Sequence, residues 1–518
     1  MTTNDLTTDG PADVLADVLA DVLIVGSGIM GAAVARMLRE TDPALRILMI
    51  DGGPVVGAVP GLHLHDSADP EIWSRYNEQV SVGIQGLYTG AEVTPDITGE
   101  LRTVRPGLYH LSAMGGAAAA MPASAVAWNV GGMGVHWTAA TPWPDGGERF
   151  DLGDPDQWAA DLEQARTLLG VHPAPIGPTK PGRAVLDELE ELFGAVSVPG
   201  RHPQPMPMAV QPCSAGPLPR TGPGRIFPAL SAGGDPAFEL RPGTLALSVR
   251  HDGGRATGAR VREIATGREY DVTAGTTVVC ADAVRTPQLL FASGIRPEAL
   301  GRYLNEHAFV TGRVLMDLDR FGLSLDDLPR ALPGEFATDS LWLPHNGSAQ
   351  PFHGQIMNRV FVDEADRALA YGVGLSLYTP VESRPENRLA FSETDRDVTG
   401  MPRITVEFTY SDTDRARIRE AVDLVHEIAV RLGSFDPATE SAVLVPGSSL
   451  HLTGTVRMGE RDDGTSVCAP DGQVWGIDGL HVAGTGVIPT PIICNATLTG
   501  VITAVRAARA VAARLTRV

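Results

Sequence analysis

Three kinds of hydrophobic pattern divide the chain. The first is the unbroken apolar run, read near the start as "DVLIVGSGIMGAAVARMLRE". Its opening residues show no polar alternation, which predicts a strand buried on both faces; the alanine-rich stretch after the glycines predicts a slim helix. A shorter run, "RILMID", predicts the next strand and ends at Asp51. The second pattern is alternation. Residues 245–282 alternate between breaks at "DGG" and "ATG", predicting an antiparallel meander, and "TTVVCADAVRTPQLLFASG" adds a buried strand, a turn and a helix. Two further strands are predicted before residue 411, of which "RITVEFTY" is expected to floor an active site. The third pattern has helical spacing. Ser411 is a candidate N-cap, and Ile418, Val422, Val425 and Ile428 form a core stripe behind it. The C-terminal text predicts a strand over 480–483, a loop, and a long helix from near Asn495, with Arg506, Arg509 and Arg514 late, where cations suit the helix dipole.

These elements predict an α/β chain, α+β overall. A Rossmann-like nucleotide-binding domain is assembled from both chain ends, with an antiparallel-sheet substrate domain inserted between them. The expected divisions are a lead-in over 1–19, a nucleotide domain over 20–314 with irregular insertions near 55–110 and 150–205, a substrate domain over 315–440, and a returning nucleotide segment over 441–518. The lead-in repeats "ADVL" three times and reads as a short acidic helix whose last copy runs into the first strand.

Gly26, Gly28 and Gly31 make G-x-G-x-x-G between that strand and its helix. The first glycine permits the turn, the second lets a pyrophosphate approach the helix N-terminus, and the third lets helix pack on strand. Asp51, about 20 residues on, suits a ribose diol. The motif specifies a dinucleotide and leaves NAD and FAD both open.

The net charge of −21 argues against nucleic acid and anionic lipid as partners. Cys213, Cys280, Cys468 and Cys494 are far apart and lack metal-ligand spacing, so no metal site is expected and free thiols in a reducing compartment are. The start of the chain has no basic, apolar leader, and no apolar run reaches spanning length by this reading. A cytoplasmic protein, not bound to membrane, is expected. The sequence specifies no oligomeric state.

One loop stands out: "NVGGMGVHWTAATPW" (129–143) sets His136 and Trp137 among glycines. Together with "TPQLLFASGI", "LGRYLNEH" and the C-terminal segment, it resembles the glucose–methanol–choline (GMC) oxidoreductases, which bind FAD. Thr286, Pro287, Ser293 and Gly294 match the family's second signature; Asp282 and Arg296 depart from it. The likeness runs from about residue 20 to the end, and within the family it is nearest the pyranose oxidases and bacterial glycoside 3-oxidases.

The resemblance implies FAD held by Gly26, Gly28, Gly31, Asp51, Gly132, Met133, His136, Trp137, Thr138, Ala139, Ala281, Gly484, Thr485, Asn495 and Thr497. It leaves two states for His136: bonded to the flavin 8α-methyl, or packed against it. Thr138 would lie near flavin N5. "PGSSLHLTGTVRMG" carries His451 and "GTGVIPTPIICNATLT" carries Asn495 at the positions of the catalytic pair. "PFHGQIMNRVFVDEA" places Gln355 at a sugar-contacting position, with His353 and His345 as further candidates, and has Val360 where an aspartate is expected.

Oxidising an alcohol removes a hydride from carbon and a proton from oxygen. A neutral imidazole suits the proton, and an amide can hold the same oxygen. His451 and Asn495 are expected in those roles, although "CNATLT" would equally suit Asn495 as a helix cap. His63, His65, His110, His307 and His481 are given no role, and Cys494 is read as a packed thiol. The function implied is oxidation of a secondary hydroxyl, at C2 or C3, of a pyranose or glycoside, with oxygen as electron acceptor. A dehydrogenase using a quinone, and a non-redox FAD-binding lyase, are the alternatives.

Overall fold

A computed structural model describes residues 18–81, 96–152, 156–213, 218–330 and 334–516. The first strand, Val18–Val25, lies at the centre of a seven-stranded sheet, parallel to Ile47–Ile50 on one side and to Glu269–Val279 on the other. Phe238–Arg241 closes one edge, parallel to Ile47–Ile50. Leu480–Val482 joins the upper half of Glu269–Val279, also parallel. Four distant stretches of chain thus make one parallel layer, as the unbroken apolar runs require. The predicted meander is present: Thr244–His251 and Ala256–Glu263 pair antiparallel and attach to the lower half of Glu269–Val279.

Helix Ile29–Thr41 packs against the last helix, Thr497–Leu515, over the same sheet. Gly31 is where the first helix meets its strand; a Cβ there would collide with the Gly26 carbonyl oxygen. The last helix is apolar and long enough to cross a membrane, but 72% of its apolar 18-residue stretch is buried inside the fold. Its Arg506 is buried against Asp161, at 2.7 Å, which supplies the counter-charge that burial demands.

The second sheet is antiparallel, in the order Gly433–Ser434, Ala308–Met316, Ala368–Thr379, His353–Val362, Asp339–Leu343, Gln204–Pro205, with Ser441–Val443 also on Ala308–Met316. Helices Lys180–Phe193 and Asp412–Leu432 cover one face. Ser411 caps the second of these through a reciprocal capping box with Asp414.

Side chains alternate across a strand, so the face packed under the helices determines what the other face carries. Leu341, Leu343, Ile356, Leu375 and Leu377 belong to the helix-covered core. Their neighbours Trp342, His353, Gln355 and Tyr378 are turned to the opposite face, with Trp342 paired to Gln355 and His353 to Tyr378 across the strands.

One expected position is corrected here. Pro402–Glu407 of "RITVEFTY" pairs with Arg388–Arg396 in a separate two-stranded sheet. The face that carries Trp342, His353, Gln355 and Tyr378 is the one that meets Asn495, whose Nδ2 lies 3.4 Å from Gln355 Oε1. Alternation in "RITVEFTY" correctly signals a half-buried strand, but not which partner buries it. Residues 1–17, including most of the "ADVL" repeat, lie outside the described residues; its third copy falls in the first strand.

Candidate active site

A single cavity runs from Asp51 to His451. It contains about 1610 Å³ of empty space, counted out to its open mouth. Gly26, Gly28, Asp51, Gly132, Met133, Trp137, Ala281, Gly484, Thr485 and Thr497 line it, so most of the expected cofactor residues meet in one place. Gly31 sits behind the wall in its packing role.

The wall fits FAD on grounds independent of the motif. Gly28 has an ordinary φ of −67° and a Cβ there would meet no protein atom nearer than 3.7 Å. The protein's own packing does not need a glycine at this position; a group approaching the helix N-terminus from the cavity does. Asp51 accepts from Ser27 N at 3.1 Å, Ser27 Oγ at 2.6 Å and Gly53 N at 2.9 Å, which fixes its carboxylate for a ribose diol. Ser27 Oγ in turn accepts from Gly131 N at 2.8 Å, tying the phosphate turn to the glycine-rich loop.

That loop is placed partly as expected. Trp137 reaches the cavity and donates its indole N–H to the Thr221 carbonyl at 2.8 Å. His136, Thr138 and Ala139 do not line the cavity. His136 is buried, and its Nε2 lies 2.9 Å from Asn129 Oδ1. Burial, reinforced by Arg75, pushes its pKa down to about 3, so the ring is neutral. The three residues close the outside of a wall whose inner surface is Gly132, Met133 and Trp137.

His451 follows a strained turn: Leu450, on the cavity wall, has φ +60°. The turn is held by a buried carboxylate. Glu306 accepts from Gly447 N at 2.6 Å, Ser449 N at 3.0 Å and Ser449 Oγ at 2.6 Å, and Ser449 Oγ accepts from His451 N at 3.1 Å. The next residue, His307, reaches the imidazole itself: its Nε2 is 2.8 Å from His451 Nδ1, and its Nδ1 is 3.2 Å from the Ile492 carbonyl oxygen.

The carbonyl can only accept, so His307 carries its proton on Nδ1 and accepts at Nε2. His451 must then donate from Nδ1, leaving a lone pair on Nε2. Burial lowers the His451 pKa to about 4, so this lone pair is available at neutral pH.

Asn495 is 6% exposed, and its Nδ2 lies 3.4 Å from His451 Nε2 and 3.4 Å from Gln355 Oε1. It does not cap the last helix, which starts at Thr497 with Ala496 as N-cap and no side-chain cap bond. The segment before it is pinned by Glu148, whose Oε1 accepts from Ile493 N and Cys494 N, both at 2.8 Å. Despite burial, the Glu148 pKa falls to about 2, through His345 and these two amides. Cys494 is buried, and burial raises its thiol pKa well above normal, which makes it a packed thiol.

Gln355 accepts weakly from Tyr378 Oη at 3.5 Å, and Tyr378 stacks on His353 with ring centroids 5.4 Å apart. His345 lies 3.6 Å from Glu148 rather than at this face. Glu306, His307, Glu148 and Trp342 are the residues sequence reading missed. The partners of Glu306, His307 and Glu148 lie more than a hundred residues away, and that of Trp342 is on the neighbouring strand, 11 residues on; the sole local signal was an adjacent acid and histidine in "LNEH".

Two GMC oxidoreductase family models match the chain, over residues 235–309 and 383–504. A C-glycoside 3-oxidase of Microbacterium trichothecenolyticum is 38% identical over 95% of this chain and 96% of its own length. A pyranose 2-oxidase of Tricholoma matsutake is 27% identical over 95% of this chain and 93% of its own. A solved formate oxidase of Aspergillus oryzae RIB40 shares the fold, with a TM-score of 0.65 at 15% identity over 97% of this chain and all of that one. A dinucleotide wall that packing alone does not explain, an imidazole on the same cavity with an amide 3.4 Å from it, and a relative matched almost end to end lead to one conclusion: the chain belongs to the GMC oxidoreductases and is an FAD-dependent oxidoreductase of CH–OH groups.

Proposed function

We propose that the protein oxidises the C3 hydroxyl of a pyranose carried by a glycoside to the ketone and passes the electrons to dioxygen, giving hydrogen peroxide. The reading is carried by His451, on the cavity that Asp51 and Gly28 line, with Asn495 Nδ2 3.4 Å from its Nε2. The choice of C3 over C2 follows the relatives: 38% identity to a C-glycoside 3-oxidase against 27% to a pyranose 2-oxidase.

FAD supplies the hydride acceptor when bound. His451 Nε2 takes the hydroxyl proton, and Asn495 Nδ2 donates to the same oxygen, stabilising alkoxide character and turning the C–H toward the cavity. Gln355 and Tyr378 offer hydrogen bonds to the neighbouring hydroxyls. Apolar walls keep water out and hold His451 neutral.

The test is anaerobic mixing with D-glucose, methyl glucosides and an aryl C-glucoside, followed by air. Bleaching by the glycoside, return of colour with peroxide in air, and a 3-keto product by NMR are the expected results. Recovery with quinone alone identifies a dehydrogenase; no bleaching with any sugar refutes the substrate class.

The same reading holds FAD without a covalent bond, because His136 Nε2 is engaged by Asn129 and the ring is off the cavity wall. Acid precipitation is expected to leave a white pellet under a yellow supernatant. A yellow pellet would show the bond to be present.

A further inference from the structure

We infer that His353 is a positioning residue: its tautomer, fixed by Trp342, sets the direction of the Asn495 amide. The inference rests on the reading that Asn495 serves alcohol oxidation.

The argument is a chain of donors and acceptors. Trp342 is fully buried, and its indole N–H, which can only donate, reaches His353 Nδ1 at 2.9 Å. His353 Nδ1 must therefore accept, and in the neutral ring the proton sits on Nε2. The ring is neutral because it is wholly buried, and burial lowers its pKa to about 3. His353 Nε2–H is thus a permanent donor, and it makes no close hydrogen bond among the described residues.

Asn495 Oδ1 is the matching leftover: buried, an acceptor, and likewise without a close partner. The two side chains share one face: His353 and Gln355 are alternate residues of the same strand, and Asn495 Nδ2 lies 3.4 Å from Gln355 Oε1. The other end of the amide confirms the direction independently. Both groups within 3.4 Å of Nδ2, Gln355 Oε1 and the His451 Nε2 lone pair, are acceptors.

An amide turned the other way would set its oxygen against those two acceptors and its NH₂ against a permanent donor. It would also offer the substrate oxygen an acceptor where a donor is needed. Strand alternation provides the mechanical basis: Trp342 and His353 project from the site face of adjacent strands, and Tyr378 stacks flat on the imidazole from the next strand, at 12°. His353 therefore stands behind Asn495 as His307 stands behind His451, and each catalytic group has its polarity fixed by a histidine that is itself fixed from its far side.

The test compares FAD-loaded His353→Leu, His353→Gln and Trp342→Phe with wild type, using the sugar that bleaches the wild-type flavin. Leu removes the donor. Gln restores an N–H toward Asn495. His353→Leu is expected to slow flavin reduction about 10²-fold with sugar saturation little changed, and His353→Gln to recover most of that loss. Equal losses in both variants, no loss in His353→Leu, or weaker saturation at an unchanged limiting rate would each overturn the inference, the last by making His353 a sugar contact.

A second arm needs no substrate, so a wrong substrate class leaves it standing. In ¹⁵N-histidine-labelled wild type, His353 is expected to show a protonated Nε2 and a bare Nδ1, and Trp342→Phe to release that preference. A protonated Nδ1 in wild type would refute the scheme, as would a signal unchanged in Trp342→Phe.

Discussion

In the reaction proposed above, His451 suits the role of base because it is buried. An exposed imidazole would be partly protonated near neutrality; here loss of water around the ring lowers its pKa to about 4, and His307 holds its second nitrogen as a donor. His451→Ala is expected to slow flavin reduction by about 10²–10⁴-fold while FAD stays bound, measured by stopped flow and by the flavin-to-protein ratio. The pH profile follows from the same burial. The base works in its neutral form, so the rate constant for reduction should be flat from neutrality to about pH 5 and fall as the pH approaches about 4. A decline already centred near pH 6.5 would mean that the ring is solvated.

Much of this residue-level picture was legible in advance, but unevenly. His451 and Asn495 were readable because flanking text carries them. Glu306, His307 and Trp342 were not, because their meaning lies in partners that only folding supplies: His307 acts on a ring 144 residues away. Asn495 shows a related ambiguity. Its neighbours suit a cap, and only the observed helix start at Thr497 frees its side chain for the site.

At the scale of elements, the strand–turn–helix at the start separates two reasons for a glycine. Gly31 is required by packing, since a Cβ would strike the Gly26 carbonyl. Gly28 has room for a Cβ as far as the protein is concerned, with the nearest atom 3.7 Å away. Gly31→Ala should therefore lower the melting temperature of the FAD-free protein, by a destabilisation of about 1–3 kcal/mol. Gly28→Ala should leave the FAD-free melting temperature near wild type and reduce FAD occupancy. Thermal melts before and after FAD loading separate the two, and matching behaviour would refute the distinction. Local periodicity made this element legible. It failed for "RITVEFTY", because a period of two reports a half-buried strand and says nothing about which sheet it joins.

The whole molecule carries an unusual set of buried neutral histidines. His136 and His353 are lowered to about 3, His451 and His481 to about 4, and His63 and His307 well below normal, each chiefly by burial. Between the unfolded value of 6.5 and these folded values, the unfolded chain binds protons that the folded chain refuses. Stability is therefore complete above pH 6.5 and lost as the pH falls, by about 1.4 kcal/mol per histidine per pH unit at most. Glu306 works the other way: its carboxyl, pushed up to about 7 by burial, takes up a proton in the folded state first. Asp51, Asp282 and His65, also raised, act in the same direction as Glu306. Six lowered histidines outnumber these four groups and predict a drop in melting temperature between pH 6.5 and 5; a flat profile would show that the rings are hydrated.

The fold class was legible because parallel strands buried on both faces leave long apolar runs, and strands from both ends of the chain join one sheet. That arrangement imposes an order of events on the ribosome. The phosphate turn and Asp51 emerge early, but the strand Leu480–Val482 and the helix that packs on Ile29–Thr41 emerge last. At about 5–20 residues per second, the first strand waits on the order of 20–90 s for its remaining neighbours. During that interval a half-built apolar layer stands open. Completion of the cofactor cradle waits on this late segment, so the supply of FAD at that moment is positioned to decide between a loaded enzyme and an aggregated one.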